Sequence, residues 1–150
     1  MQITLEQAVV NAITAEEAAW SFYSKLAARC EDPLARAFLQ DMATVEAQHV
    51  DGLQAFARRL LKGTLTGVPD EGMELVETAP SWEELDREVE EMDLTTALAI
   101  AEEAEQHAAS YYDALAAVTS GEVQVFFMAM AQEEANHAGH IEELLDETAA

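Results

Sequence analysis

The chain has 150 residues, half of them hydrophobic, which suits one domain with one buried core and excludes a disordered acidic tail. Thirty acidic residues against seven Lys and Arg give a formal net charge of −23, which argues against nucleic acid and anionic membranes as partners. The single cysteine, Cys30, excludes an internal disulfide and any paired-cysteine metal site, and no apolar run reaches membrane-spanning length, so a cytoplasmic protein is expected.

Ala, Leu and Glu dominate and Pro and Gly are few, so helix is expected throughout. Thr4 with Gln7 forms a capping-box pattern that opens a first helix over about residues 5–30. Asp32-Pro33 supplies the cap and first position of a second helix reaching to about Lys62. Gly63, Gly67, Pro69 and Gly72 break the pattern, and Ser81 with Glu84 caps a short acidic helix over about residues 82–91. Asp93 caps a third long helix over about residues 94–118, and Ser120-Gly121 separates it from a fourth over about residues 121–147. The expected fold is all-α: a single four-helix domain over residues 1–150, built from two antiparallel hairpins joined by a crossover at 63–93. The crossover is long enough to run the length of the bundle or to carry the second hairpin to another subunit.

The chain repeats itself. Glu16, Ala19 and Tyr23 match Glu105, Ala108 and Tyr112 at an offset of 105 − 16 = 89. Phe38, Met42, Glu46, His49 and Leu53 match Phe126, Met130, Glu134, His137 and Ile141 at an offset of 134 − 46 = 88. A repeated hairpin implies a bundle of approximate two-fold symmetry whose matched acidic groups meet near the axis.

Glu46-Ala47-Gln48-His49 and Glu134-Ala135-Asn136-His137 are both Glu-x-x-His. At that spacing the carboxylate and the imidazole leave one helix face and can grip one ion. Their neighbours at helical spacing are apolar, so the four residues lie on the core stripe. Glu16 shares a face with Ile13, Trp20 and Tyr23, and Glu105 shares one with Ala108 and Tyr112. Carboxylates gathered in a low-dielectric core repel one another, and two divalent ions reverse that balance. Glu46 and Glu134 suit bridging positions, and Glu16 and Glu105 terminal ones. Glu102 lies one turn before Glu105 and matches Ile13, which makes it a candidate seventh ligand. Oxygen and imidazole donors suit iron or manganese and argue against a structural thiolate zinc site.

Tyr23 and Tyr112 each follow a candidate ligand by seven residues and can hydrogen-bond a ligand carboxylate, or serve as ordinary core aromatics. Trp20 suits packing better than electron relay, and Met42 and Met130 suit core filling. His107 is expected to face solvent, and His140 to be structural or exposed. Cys30 is expected to be inert, and the acidic run from Glu83 to Glu91 to be a solvated helix face.

Glu16-x-x-Ala-x-x-x-Tyr23, the two Glu-x-x-His motifs and Glu102-x-x-Glu105 resemble the rubrerythrin branch of the ferritin-like superfamily, across all four long helices. The resemblance implies a non-haem centre of two iron ions, with manganese or zinc as substitutes, held by Glu16, Glu46, His49, Glu102, Glu105, Glu134 and His137. It implies a peroxidase-type oxidoreductase acting on hydrogen peroxide or dioxygen, in which one iron trades Glu105 for His49 when reduced. Many rubrerythrins carry a four-cysteine rubredoxin domain, which one cysteine cannot build, so an external electron donor such as a rubredoxin-like protein is expected. A homodimer is expected from the long crossover. The competing expectations are a ferroxidase and iron-storage protein of a larger ferritin-like assembly, and a metal-free acidic bundle serving as an interaction module.

Overall fold

The computed structural model describes residues 5–60 and 82–149. Four long helices carry the fold: α1 (Leu5–Arg29), α2 (Pro33–Leu60), α4 (Leu94–Ala117) and α5 (Gly121–Ala149). A short α3 (Trp82–Glu88) and a 3-10 turn (Val89–Glu91) precede α4. No strand occurs among the described residues, so the all-α expectation holds. Thr4, Ser81 and the crossover residues 63–81 lie outside the described residues.

Local chemistry accounts for the helix starts. The Asp32 carboxylate accepts from the Ala35 N–H at 3.1 Å, and Asp93 accepts from the Thr96 N–H at 2.7 Å. Each cap satisfies a donor that the first turn leaves without an intrahelical partner. Gly121 opens α5 with φ of +65°, a left-handed conformation that glycine adopts without a Cβ penalty. That permits a turn of three residues between α4 and α5.

Packing divides the core into two apolar clusters. One joins the C-terminal half of α1 (Phe22, Tyr23, Leu26), the N-terminal half of α2 (Leu39, Met42), α3 (Trp82), the start of α4 (Leu98) and Ile141 of α5. The other joins the start of α1 (Leu5, Val9), the end of α2 (Leu53, Phe56), the end of α4 (Tyr112, Leu115) and the start of α5 (Phe127, Met130). So α1 and α5 run one way, and α2 and α4 run the other. The two hairpins close on each other within one chain.

α3 packs mainly on α1. Trp82 meets Phe22 edge-on and Tyr23 at a tilt, with ring centroids 5.4 and 5.5 Å away. Lys25 pairs with Asp86 at 3.2 Å, and the Arg29 guanidinium donates to the carbonyls of Val89 and Met92. Trp20 departs from its expected packing role, being 47 % exposed. The stripe of α1 that faces inward runs through Ala12, Glu16, Ala19 and Tyr23, where small residues let the neighbouring helices approach.

Candidate metal centre

Between the two apolar clusters lies one polar layer. Glu16, Glu46, His49, Glu105, Glu134 and His137 are all buried, and each of the four long helices contributes at least one of them. Their donor atoms form two overlapping groups. Glu16, Glu46, His49 and Glu134 each offer an atom within 4.8 Å of the others, and so do Glu46, Glu105, Glu134 and His137. Glu46 and Glu134 belong to both groups.

The histidines aim Nδ1 into the layer. His49 Nδ1 lies 3.0 Å from Glu134, and 3.5 Å from both Glu16 and Glu46. His137 Nδ1 lies 3.2 Å from Glu46, 3.7 Å from Glu105 and 3.8 Å from Glu134. The two rings stack with centroids 5.5 Å apart. The tyrosines cross between hairpins. Tyr23 of α1 donates to Glu105 of α4 at 2.7 Å, and Tyr112 of α4 donates to Glu16 of α1 at 2.8 Å. Each hydroxyl therefore fixes the carboxylate of the opposite hairpin rather than that of its own helix.

The electrostatics show what this layer lacks. Burial, then the charges of Glu16 and Glu105, push the Glu46 carboxyl well above the ordinary range. Burial, then Glu105, Glu16 and Glu46, do the same to Glu134. Burial would also raise Glu16, but the adjacent Glu46 carboxyl, the His49 imidazole and its charge, and the Tyr112 hydroxyl bring it down to about 2. Burial opposes charge on His49, yet Glu16 and Glu133 outweigh it and raise the imidazole. Burial and the neighbouring carboxylates push the Tyr23 and Tyr112 hydroxyls well up, so both remain donors.

Six buried atoms in the layer have no hydrogen-bond partner: both oxygens of Glu46, one each of Glu105 and Glu134, and Nδ1 of both histidines. Such atoms are strongly unfavourable in a core unless something positive lies between them. Four ionised carboxylates carry −4, which two divalent cations cancel. The residues present therefore fit a pair of metal ions bound by oxygen and imidazole.

Glu102 does not enter this layer. It is half-buried on α4, and partial burial and the charges of Glu142 and Asp146 of α5 raise its carboxyl. It belongs to neither donor group among the described residues. Its repeat counterpart Ile13 is half-buried too, so the match places both at the edge of the core. Glu105 and His49 fall in different donor groups, and Glu46 and Glu134 are common to both. Met42 and Met130 are buried in the apolar clusters, Cys30 is buried and free, and His107 and His140 are exposed.

One participant escaped the sequence reading. Glu133 of α5 reaches across to α2, where its Oε2 lies 2.5 Å from His49 Nε2. It sits beside a ligand in sequence but on the neighbouring face of the helix, so ligand spacing gave no signal for it. A cavity of about 520 Å³ opens here between α2 and α5, and Val45, Gln48, His49, Glu133, His137 and His140 line it.

A four-helix bundle with paired carboxylate–histidine groups in its core has the architecture of the ferritin-like di-metal carboxylate proteins. The rubrerythrin family model matches residues 7–106, two thirds of the chain, and the protein belongs to the rubrerythrin family. No curated protein and no solved structure matches it. No helix among the described residues is long and apolar enough to cross a membrane.

Proposed function

We propose that the chain is a non-haem di-iron oxidoreductase that reduces hydrogen peroxide with electrons from an external donor. The observation that carries this reading is the pair of buried donor groups sharing Glu46 and Glu134. In this reading Glu16, Glu46, His49 and Glu134 would hold one metal ion, and Glu46, Glu105, Glu134 and His137 the other. Two bound iron ions supply the two electrons that peroxide accepts.

The chain's own residues do the rest. The carboxylates stabilise the higher charge of the oxidised centre, because each is anionic and held in a low-dielectric surround. Tyr23 and Tyr112 keep Glu105 and Glu16 in fixed orientations, and their raised hydroxyls stay protonated. The apolar clusters above and below the layer exclude bulk water from it. The cavity between α2 and α5 offers a small oxidant a path to the edge of the two imidazoles.

A second reading, ferroxidase and iron storage, draws support from the position of Glu102. With Glu102 outside both groups, the six remaining donors are symmetric, and no extra carboxylate distinguishes one position. Anaerobic stopped-flow absorbance separates the two readings. The reduced protein mixed with equal concentrations of each oxidant is expected to react faster with hydrogen peroxide than with dioxygen. Faster reaction with dioxygen, with ferric mineral accumulating on a large assembly, would replace peroxide reduction by storage.

A further inference from the structure

The internal repeat makes one contact conspicuous. The ligands of the two halves superpose at an offset of 88 in α2 and α5, as do their tyrosines at 89 in α1 and α4. Among the described residues the contact of Glu133 with His49 has no counterpart at His137. The residue equivalent to Glu133 in the first hairpin is 133 − 88 = 45, which is Val45. Val45 and His137 line the same cavity, and the Val45 side chain offers no acceptor.

An imidazole that presents one nitrogen to a metal carries its proton on the other. Glu133 accepts that proton's hydrogen bond at His49 Nε2, which selects the tautomer with a free lone pair on Nδ1. Nδ1 is the atom that faces Glu16, Glu46 and Glu134. A carboxylate in that place also makes the ring a better electron donor. Glu133 is 54 % exposed, so it keeps contact with water while gripping a buried ring.

We infer that Glu133 is a positioning residue for His49, and that it makes the Glu16–His49 position the tighter and first-filled of the two metal positions. The inference rests on the two-metal reading given above. The Glu105–His137 position, where the described residues supply the Tyr23 bond and no carboxylate behind the imidazole, fills second and exchanges its ion more readily.

Cobalt(II) is a suitable probe, since its visible bands report ligand surroundings and require no turnover. Titrated into the metal-free protein against a competing chelator, it is expected to bind in two resolved steps. Glu133→Ala should weaken the tighter step by about 10- to 100-fold and leave the other unchanged, the range found for partners of metal-bound histidines. Glu133→Gln keeps an acceptor oxygen and should restore most of the loss. Val45→Glu supplies the missing acceptor to His137 and should narrow the gap between the steps by tightening the weaker one. In proton spectra of the cobalt-loaded wild type, one imidazole N–H should exchange slowly with solvent. That resonance should vanish in Glu133→Ala and persist in Glu133→Gln. Two unchanged steps in Glu133→Ala would overturn the inference, and so would equal weakening of both, which marks general damage. A wild-type chain that binds no cobalt at all would overturn the two-metal reading with it, a result distinct from either.

Discussion

The two hairpins bring equivalent residues to the centre and surround them differently. Glu16 with Glu46-x-x-His49 and Glu105 with Glu134-x-x-His137 are related by the repeat, and so are the crossed bonds from Tyr112 and Tyr23. Beyond them the likeness ends. Tyr23 is backed by Phe22 and by Trp82 of α3, whereas Tyr112 is backed by Tyr111 and Phe127. Tyr111 also donates to the Ala8 carbonyl at 2.7 Å, a bond that ties α4 to the start of α1. His49 has Glu133 at its Nε2, and the repeat puts Val45 at the position equivalent to Glu133. The repeated hairpin thus keeps the innermost donors alike, while the residues around them differ. That divergence is what can make two chemically alike positions unequal.

The harshest way to break the comparison is to remove what both halves share. Glu46→Ala combined with Glu134→Ala takes a ligand from each group twice over. Metal analysis after anaerobic ferrous reconstitution is expected to fall from two ions per chain to none. Wild-type melting temperature should drop on chelation, because a ligand that binds only the folded state stabilises it by mass action. The double variant should melt alike with and without chelator, and equal chelator sensitivity in both proteins would remove Glu46 and Glu134 from the bridging positions.

A gentler break uses protons. Without metal, the folded chain holds protons on Glu46 and Glu134 above the ordinary carboxyl value of 4.5, and on His49 above 6.5. A group raised in the folded state contributes stability that is full below its unfolded value and lost as pH rises through the folded one. Glu16, lowered to about 2, has the opposite sign, but its contribution is lost only on acidification below 4.5. Between pH 5 and 8 the metal-free protein should therefore lose stability as pH rises. The loaded protein should gain, since metal binding needs these groups deprotonated. Thermal melts of both forms across this range should diverge, and parallel curves would contradict the assignment.

The smallest expected effect tests where the halves remain equal. Tyr23→Phe and Tyr112→Phe each remove one buried hydrogen bond to a carboxylate, worth about 1.5–3 kcal/mol. Denaturant melts of the two variants should show closely matched losses, in contrast to the one-sided effect of Glu133→Ala on metal affinity. A loss confined to Tyr23→Phe would mean that Trp82 and α3, rather than the repeat, govern that side of the bundle.

The helices and most of the centre were legible in local sequence signals. Caps at Asp32 and Asp93 and the turn at Gly121 mark the helix starts to within a residue or two, because they act through local hydrogen bonds and backbone angles. Helical spacing put Glu46 with His49 and Glu134 with His137, because residues three apart share a face on any helix. The repeat then added Glu16 and Glu105. What the sequence left open was every choice that depends on how one helix is rotated against the next. At about 100° per residue, Ala19 and Trp20 flank Glu16 about equally, and packing turned the alanine inward. Glu102 lay near enough to the ligand face to be counted, and the same rotation left it at the rim beside Glu142. Glu133 lay off that face and became a partner only because α2 brings His49 across to it. The crossing of the tyrosines, the sharing of Glu46 and Glu134, and the support given to one histidine alone are distances between helices. Tertiary packing decided them, because spacing along one chain segment carries no record of the azimuth of its neighbours.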